Sequence, residues 1–277
     1  MSIAMPDLRY HRPATLEEAV DLKRAADEAV YLSGGHTLLP AVKAGLAAPT
    51  ALIDLRAIPQ LGAGVSVSDG MLRISAATTH AAVAASALVL EHIPVLAALA
   101  GSIGDVQVRN WGTLGGSLAN NDPAADYPAA ALALGATIIT DRRRCPAEAF
   151  FDGLYTTCLE DDEIVVEVSF PVPLSAGYAK FRNPASGFAM AAVFVAQLAG
   201  DAVRCAVTGA GDDGVFRWKE AEEALGRDFS AAALDGLEPD ASAMLADLHA
   251  EPDYRAHLVA VMARRAVSSM GRLTLHG

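Results

Sequence analysis

Residues 29–40, AVYLSGGHTLLP, carry the clearest signal for the fold. The four apolar residues 29–32 predict a buried strand, and residues 38–46 predict a helix with Pro40 in its first turn, where proline is tolerated. The glycine-rich loop at 33–37 joins the two elements. Adjacent glycines let a ligand approach the backbone closely, and the N–H groups at a helix start favour an anion. The loop is therefore a candidate pyrophosphate site.

The elements around this stretch predict a small α/β unit. The sequence TLEE at 15–18 is a capping box, in which the Thr15 hydroxyl and the Glu18 carboxylate accept hydrogen bonds from N–H groups at a helix start. That helix is expected to run to about Ala26, and residues 51–55 predict a second strand. Because helix and strand alternate over the opening sixty residues, this part of the chain is typical of an α/β unit.

Two further regions follow. The first contains a hairpin with Asp69 and Gly70 in its turn, three helices and two more strands, at 65–74, 79–86, 93–102, 128–134, 136–140 and 163–172. The second contains paired strands and two helices, at 188–196, 202–208, 219–225 and 254–270, which predict a structural α+β domain. We expect domains at 1–172, divided near residue 60, and at 173–277.

Composition and charge argue against several classes of protein. Hydrophobic residues make up 52% of the 277 residues and the formal net charge is −12, so disorder is excluded and nucleic acid, whose phosphates an acidic surface repels, is not an expected partner. No stretch approaches the ~20 large apolar residues of a membrane span, and the N-terminal residues lack a signal peptide's apolar segment. The three cysteines offer no disulfide framework or iron–sulfur spacing, and no two histidines have metal-ligand spacing. We expect a cytoplasmic protein without a metal site.

A second glycine-rich loop is predicted at 113–117, and a third glycine-containing segment gives a weaker signal. The sequence TLGGS at 113–117 pairs glycines with hydroxyls as the first loop does, and the two loops together are the clearest chemical signal, although neither matches a P-loop or a dinucleotide fingerprint. The sequence GAGDDG at 209–214 has GxGxxG spacing, yet its two aspartates stand where phosphates would lie. A hairpin or a strand-to-helix loop therefore explains it better than a nucleotide site does.

Asp126 has two possible roles. It follows a turn at 120–123 and precedes a helix, so its carboxylate either accepts hydrogen bonds from ligand hydroxyls or caps that helix. His36 is the one histidine of the seven that lies within a glycine loop. No acid–base pair or G-x-S-x-G motif lies beside either glycine segment, so we expect no catalytic residue on this chain.

Taken in order, four motifs resemble the FAD-binding medium subunit of carbon monoxide dehydrogenase and related molybdenum hydroxylases of the xanthine dehydrogenase family. They are LSGGHTLLP (32–40), IGDVQVR (103–109), GTLGGS (112–117) and DPAAD (122–126). Later segments, GLYTT (153–157) and KFRNPAS (180–186), extend the resemblance over nearly the whole chain. It implies an α+β fold with a two-subdomain FAD-binding domain of the vanillyl-alcohol-oxidase (PCMH) type. A smaller α+β C-terminal domain of the carbon monoxide dehydrogenase flavoprotein type would follow.

The resemblance implies FAD-binding residues position by position. The pyrophosphate would lie across both glycine segments, Asp126 would meet ribityl or ribose hydroxyls, Lys180 would approach the flavin, and Ile103 would touch a ring face. The implied set is Ser33, Gly34, Gly35, His36, Thr37, Leu38, Ile103, Thr113, Gly116, Ser117, Asp126 and Lys180. Ser117 stands where asparagine is common in the family. Phe188 stands where the carbon monoxide enzyme has a tyrosine near the isoalloxazine, which weakens an assignment to carbon monoxide itself.

The resemblance further implies an electron-transfer role. FAD would accept electrons one at a time from the 2Fe–2S clusters of a small subunit and pass them to an external acceptor, while a large molybdopterin subunit hydroxylates the substrate. The chain would be an oxidoreductase subunit, inactive on substrate alone, in a dimer of heterotrimers. It would lie in the cytoplasm or peripherally at the inner face of the membrane. The alternatives are a self-contained flavin-dependent oxidoreductase and a flavin-free assembly subunit. The substrate (carbon monoxide, a purine, a heterocycle or an aldehyde) and the acceptor (quinone, oxygen or NAD) stay open.

Overall fold

The computed structural model describes residues 8–270 and 273–276. Its first unit is a three-stranded parallel sheet with the strand order β1-β3-β2. The elements of this unit are β1 (Arg9–His11), α1 (Leu16–Arg24), β2 (Ala29–Leu32), α2 (Leu38–Lys43) and β3 (Ala51–Asp54). The expected alternation of helix and strand is confirmed, and the Thr15 side chain accepts the Glu18 N–H at the start of α1 as the capping box predicts.

The second unit is a five-stranded antiparallel sheet accompanied by six helices. Its strand order is β4-β5-β8-β6-β7. The elements are β4 (Val65–Ser68), β5 (Met71–Ser75), α3 (His80–Ala85), α4 (Ala87–His92), α5 (Pro94–Ser102), α6 (Val106–Trp111), α7 (Leu114–Asn120), α8 (Tyr127–Leu134), β6 (Thr137–Thr140), β7 (Arg144–Pro146) and β8 (Val165–Pro171). The predicted hairpin at 65–74 is present as β4 and β5.

The third unit is a second five-stranded sheet with two helices. Its strand order is β12-β11-β10-β9-β13, antiparallel except for the parallel pair β9 and β13. The elements are β9 (Ser175–Arg182), β10 (Ala189–Gln197), β11 (Val203–Thr208), β12 (Phe216–Arg217), α9 (Lys219–Arg227), α10 (Pro252–Ser268) and β13 (Leu273–His276). The predicted pairing of the strands near 188–196 and 202–208 is confirmed by β10 and β11, and the whole is an α+β fold as expected.

Strand β10 is buried on both faces. Ala192, Phe194 and Ala196 belong to the large core that the third sheet shares with α8 and the second unit. The alternate residues Val193 and Val195 belong to a second core formed with α9 and α10. Because successive strand residues point to opposite faces, this continuous apolar run matches a sheet covered on both sides. The third sheet is therefore held against the unit that precedes it.

Three helices and five strands escaped prediction from the sequence. They are α4, α6, α7, β1, β7, β9, β12 and β13. In β9, Gly177 interrupts the apolar pattern because α10 lies so close that a Cβ there would overlap the carbonyl oxygen of Ala266. Within residues 8–270 and 273–276, no helix has the length and apolar content needed to cross a membrane.

Candidate functional site

The two glycine segments meet in space. Ser33 Oγ and Thr113 Oγ1 lie 2.8 Å apart and share a hydrogen bond, although the residues come from different units. Gly34 packs against the backbone between them: a Cβ at residue 34 would overlap the Trp111 carbonyl oxygen and lie 2.7 Å from Gly112 Cα. Residue 34 must therefore lack a side chain for the segments to meet.

The first segment presents unpaired donors. Between β2 and α2 the chain turns through Gly35, whose φ of +73° lies in the left-handed region that favours glycine. The N–H groups of His36, Thr37 and Leu38 have no acceptor within the described part of the chain. Because these N–H groups open α2, they offer an anion several donors at once.

The second segment is a helix start rather than a loop, which corrects the sequence interpretation. Thr113 caps α7, and its Oγ1 accepts the N–H of Gly116 (3.1 Å). The other N–H groups at this start also have acceptors: Leu114 donates to Thr78, Gly115 to Ala76 and Ser117 to Thr113. This segment therefore offers hydroxyl groups to a ligand, whereas the unpaired N–H groups come from the first segment.

Both segments line one cavity of about 550 Å³. All twelve residues expected to bind FAD are among its lining: Ser33, Gly34, Gly35, His36, Thr37, Leu38, Ile103, Thr113, Gly116, Ser117, Asp126 and Lys180. Phe188 also lines the cavity and is half exposed. The sequence thus identified residues from three units that the fold brings to a single site.

One part of the cavity is apolar and was not predicted. Its lining comes from β2, from the chain after β3, from the turn after β5 and from the chain that leads into β8. These residues are Val30, Leu32, Leu55, Leu61, Ala76, Ala77, Leu159, Ile164 and Val165. Such residues suit a flat aromatic group such as a nucleobase. In the sequence they look like any other core residues, so no motif could have identified them.

Glu163 anchors this apolar part. Its carboxylate accepts hydrogen bonds from Arg143 Nε (2.9 Å) and Nη2 (2.7 Å), from Thr140 Oγ1 (2.7 Å) and from the N–H of Glu160 (3.0 Å). The Arg143 hydrogen bonds outweigh the effect of burial and lower the pKa of Glu163 to about 2. The carboxylate therefore stays ionised and fixes the turn between Leu159 and Ile164.

A second part of the cavity holds a buried ion pair. Lys180 Nζ lies 2.9 Å from Oδ1 and 3.0 Å from Oδ2 of Asp126, and both residues are buried. The Tyr178 hydroxyl also donates to Asp126 Oδ1. Asp126 occupies the N-cap position of α8 but makes no capping hydrogen bond, so the capping role considered for it is wrong. Lys180, in turn, is not an isolated cation but the partner of Asp126.

The backbone at 102–104 is held by two arginines. Arg109 donates to the carbonyl oxygens of Ile103 (3.0 Å) and Gly104 (2.8 Å), and Arg182 donates to that of Ser102 (2.9 Å). Because the three carbonyl groups are held by guanidinium donors, the backbone that carries Ile103 to the cavity is fixed in place. Arg182 lies on the same face of β9 as Lys180, two residues along the strand.

Trp111 joins the first two units. Arg56 lies over its ring at 4.9 Å and donates to both carboxylate oxygens of Asp54, at 2.9 and 2.6 Å. Burial alone would raise the pKa of Asp54, but hydrogen bonds from Arg56 and Tyr10 lower it to about 2. This charged Asp54–Arg56 pair supports the point where Gly34 and Gly112 meet.

His80 lines the cavity from α3. Burial lowers its pKa to about 4, so the imidazole is neutral at pH 7. Its Nδ1 is buried and has no hydrogen-bond partner among the described residues.

The GxGxxG sequence at 209–214 lies outside the cavity, between the antiparallel strands β11 and β12, so the hairpin interpretation is confirmed.

A cavity with anion-binding N–H groups, an apolar part and a charged part defines a protein that binds a nucleotide cofactor. Residues 6–173 match the family model described as the FAD binding domain in molybdopterin dehydrogenase. The chain belongs to this family, the FAD-binding medium subunits of the carbon monoxide dehydrogenase and xanthine dehydrogenase type, and its cofactor is FAD. The expected family is thereby confirmed, and a flavin-free assembly subunit is disfavoured.

Relatives match along nearly the whole chain. The nicotine 6-hydroxylase medium subunit of Paenarthrobacter nicotinovorans is 34% identical, over 98% of this chain and 99% of its own. The carbon monoxide dehydrogenase medium chain of Hydrogenophaga pseudoflava is 33% identical, over 95% and 97%. A solved structure of carbon monoxide dehydrogenase from H. pseudoflava, which lacks the Mo-pyranopterin moiety of its cofactor, superposes with a TM-score of 0.84 at 32% identity, over 96% and 98%.

The residues present fit FAD. The cavity volume lies within the ~300–1,000 Å³ usual for small-molecule sites. Three unpaired N–H groups suit a pyrophosphate, and the close approach of Gly34 to Trp111 and Gly112 brings the hydroxyl groups of the second segment beside them. Within residues 8–270 and 273–276, no three His, Cys, Asp or Glu side chains form a group that could hold a metal ion.

Proposed function

We propose that this chain is the FAD-carrying electron-transfer subunit of a molybdenum hydroxylase complex. It would receive electrons from iron–sulfur clusters of a partner subunit and deliver them to an external acceptor. The observation that carries the proposal is the shared cavity: unpaired N–H groups of His36, Thr37 and Leu38 open onto the space that the Asp126–Lys180 pair also lines.

The pyrophosphate is assigned to the meeting point of the two glycine segments. The N–H groups at 36–38 would bind its oxygens, and the side chains of Ser33, Thr113 and Ser117 would add hydroxyl groups. Gly34 and Gly116 let the two segments pack against each other at this point, because a Cβ at either residue would meet atoms of the chain. The order of the elements along the chain supports a pyrophosphate placed between the apolar and charged parts of the cavity. The first glycine segment follows β2, which lines the apolar part, and α7 is followed by Asp126, which lies in the charged part.

The two remaining parts of FAD are assigned by polarity. The apolar part, whose lining turn is fixed by Glu163, suits the adenine. Burial against apolar side chains removes the faces of a flat heterocycle from water, which is favourable. The charged part suits the flavin side: Asp126 would accept hydrogen bonds from cofactor hydroxyls, Lys180 would supply a paired cation and Ile103 would contact a ring face. Phe188 would lie beside the same end.

FAD supplies the redox chemistry when bound, and the chain supplies position and electrostatics. The buried carboxylates Asp126 and Glu163 are each tied to a cation, and His80 is neutral. The two buried carboxylates are thus bound to cations and are not free to take a proton from a substrate. The residues therefore favour a carrier of electrons over a self-contained oxidoreductase, and the chain alone is expected to be inactive on substrate.

The proposal includes the partners and the domain division expected from the sequence. An iron–sulfur small subunit and a molybdenum-binding large subunit would join this chain in a dimer of heterotrimers, in the cytoplasm or at the inner face of the membrane. Domains at 1–172 and 173–277 would carry FAD and complete its charged end, respectively. Support comes from relatives named medium subunits or medium chains for nicotine, carbon monoxide and glyceraldehyde, substrates too diverse to select one here.

Subunit reconstitution tests this function. The purified chain, loaded with FAD, should show flavin absorbance and should reoxidise with an artificial acceptor after chemical reduction. It should oxidise no organic substrate until the small and large subunits are added. Substrate turnover by the chain alone, in the absence of molybdenum and iron, would instead establish the self-contained oxidoreductase.

A further inference from the structure

The buried pair of Asp126 and Lys180 has a third member, Tyr178. All three side chains are buried, and the Tyr178 hydroxyl donates to the same Oδ1 that Lys180 approaches at 2.9 Å. Asp126 and Lys180 line the cavity, whereas Tyr178 does not. Tyr178 and Lys180 are two residues apart on β9 and share one of its faces. The carboxylate is therefore held by two donors from the same strand, one of which lies outside the cavity.

A carboxylate has about four lone-pair positions, so Asp126 can still accept a hydrogen bond after binding Lys180 and Tyr178. Which oxygen faces the cavity depends on how the carboxylate plane is fixed. A single ammonium group, lying almost equally far from both oxygens, leaves that plane free to turn. The Tyr178 hydroxyl, bound to Oδ1, distinguishes the two oxygens and leaves Oδ2 for an incoming group.

We propose that Tyr178 is a positioning residue for FAD, which orients the Asp126 carboxylate toward a cofactor hydroxyl from outside the cavity. This inference rests on the proposed binding of FAD hydroxyls by Asp126. The other ionisable groups around Asp126 come from three further elements: His80 on α3, Asp122 in the preceding turn and Tyr127 on α8. Among the described residues, the Tyr127 hydroxyl has no hydrogen-bond partner, so Tyr178 is the phenol that holds the carboxylate.

The test compares two buried tyrosines that flank the same carboxylate. Tyr178→Phe removes the hydroxyl that holds Asp126, and Tyr127→Phe removes one that holds nothing. We expect Tyr178→Phe to weaken FAD binding about 10-fold and Tyr127→Phe less than about 2-fold, by titration of apo-protein. Asp126 keeps Lys180 in both variants, so both apo-proteins should fold, with similar melting temperatures. Equal FAD affinity in the two variants, or a Tyr178→Phe apo-protein that does not fold, would overturn the proposal.

A second background separates positioning from a general loosening of the fold. The double variant Asp126→Leu/Lys180→Met removes both charges together, which avoids an unpaired buried charge. Adding Tyr178→Phe to this background should leave FAD affinity unchanged, because no carboxylate remains to be oriented. A further 10-fold loss there would mean that Tyr178 acts elsewhere. If the double variant itself binds FAD as tightly as the unaltered chain, the proposed role of Asp126 fails instead.

Discussion

Ser33 Oγ and Thr113 Oγ1 share a hydrogen bond of 2.8 Å, which joins the end of β2 to the start of α7. Thr113 is buried, and the same oxygen accepts the N–H of Gly116 at 3.1 Å. One hydroxyl therefore caps a helix and fixes the distance between the two glycine segments. Because the proposed pyrophosphate site lies where the segments meet, stability and cofactor binding should both depend on this oxygen.

Replacement of Thr113 by valine should separate these two effects when it is compared with a second capping threonine. Thr79 caps α3 in the same way, with its Oγ1 accepting the N–H of Ala82 at 3.2 Å, but it does not line the cavity. Thr113→Val and Thr79→Val should each lower the free energy of unfolding by about 1 kcal/mol. Only Thr113→Val should also weaken FAD binding, by about 10-fold in a titration of apo-protein. Equal FAD affinities in the two variants would contradict the assignment.

Gly34 should not tolerate alanine. Its Cβ would overlap the Trp111 carbonyl oxygen, so the segments would have to move apart. We expect Gly34→Ala to lower the free energy of unfolding by about 1–3 kcal/mol and to leave the purified protein largely without flavin absorbance. Gly226→Ala is the matched control, because Gly226 lies within α9 with no atom near its Cβ position and should gain about 0.5–1 kcal/mol. Normal flavin content in Gly34→Ala would show that the contact is not needed.

The first glycine segment could be predicted because its signals are local. An apolar strand, two glycines and a helix with proline in its first turn lie within twelve residues, and each has its own physical cause. The helical form of the second segment could not be predicted. Two glycines in residues 114–120 lower the helix propensity of that segment. Helix α7 is instead stabilised by the Thr113 cap and by the close approach of Gly115 to Ala76, where an added Cβ would lie 2.5 Å from Ala76 Cβ.

The residues of the site also divide into those that the sequence could predict and those that it could not. Asp126 and Lys180 could be predicted from motifs that resemble a family, but the contact between them depends on β9, a strand whose pattern Gly177 interrupts. The apolar part could not be predicted, because Leu61 and Ile164 differ in no way from core residues until the chain is folded. Local chemistry is thus readable from the sequence, whereas the pairing of distant groups is not.

The Glu163–Arg143 pair should stabilise the apolar part of the cavity. Glu163→Gln removes a charge that accepts four hydrogen bonds, and we expect a loss of about 1–3 kcal/mol in the free energy of unfolding together with weaker FAD binding. Glu160→Gln is the control from the same turn, because its exposed pair with Arg142 should contribute less than about 1 kcal/mol.

The Glu163–Arg143 pair should also give a pH dependence. Since the folded pKa of Glu163 is about 2, below its usual 4.5, its contribution to stability is present above pH 4.5 and is lost toward pH 2. Identical pH dependence of unfolding below pH 4.5 in Glu163→Gln and the unaltered chain would contradict this.

His80 should make the protein less stable in mild acid. Burial lowers its pKa from 6.5 to about 4, so between these values the unfolded chain binds a proton that the folded chain does not. Stability therefore rises with pH through this window, by at most about 1.4 kcal/mol per pH unit. Burial also raises the pKa of Asp122, which makes stability fall as pH rises, so the informative quantity is the difference between variants.

His80→Gln should flatten the slope of the free energy of unfolding from pH 4.5 to 6.5, measured by urea denaturation of apo-protein. His92→Gln, at the end of α4 and outside the cavity lining, is the matched histidine control. An unaltered slope in His80→Gln would show that the buried imidazole is not the group that titrates.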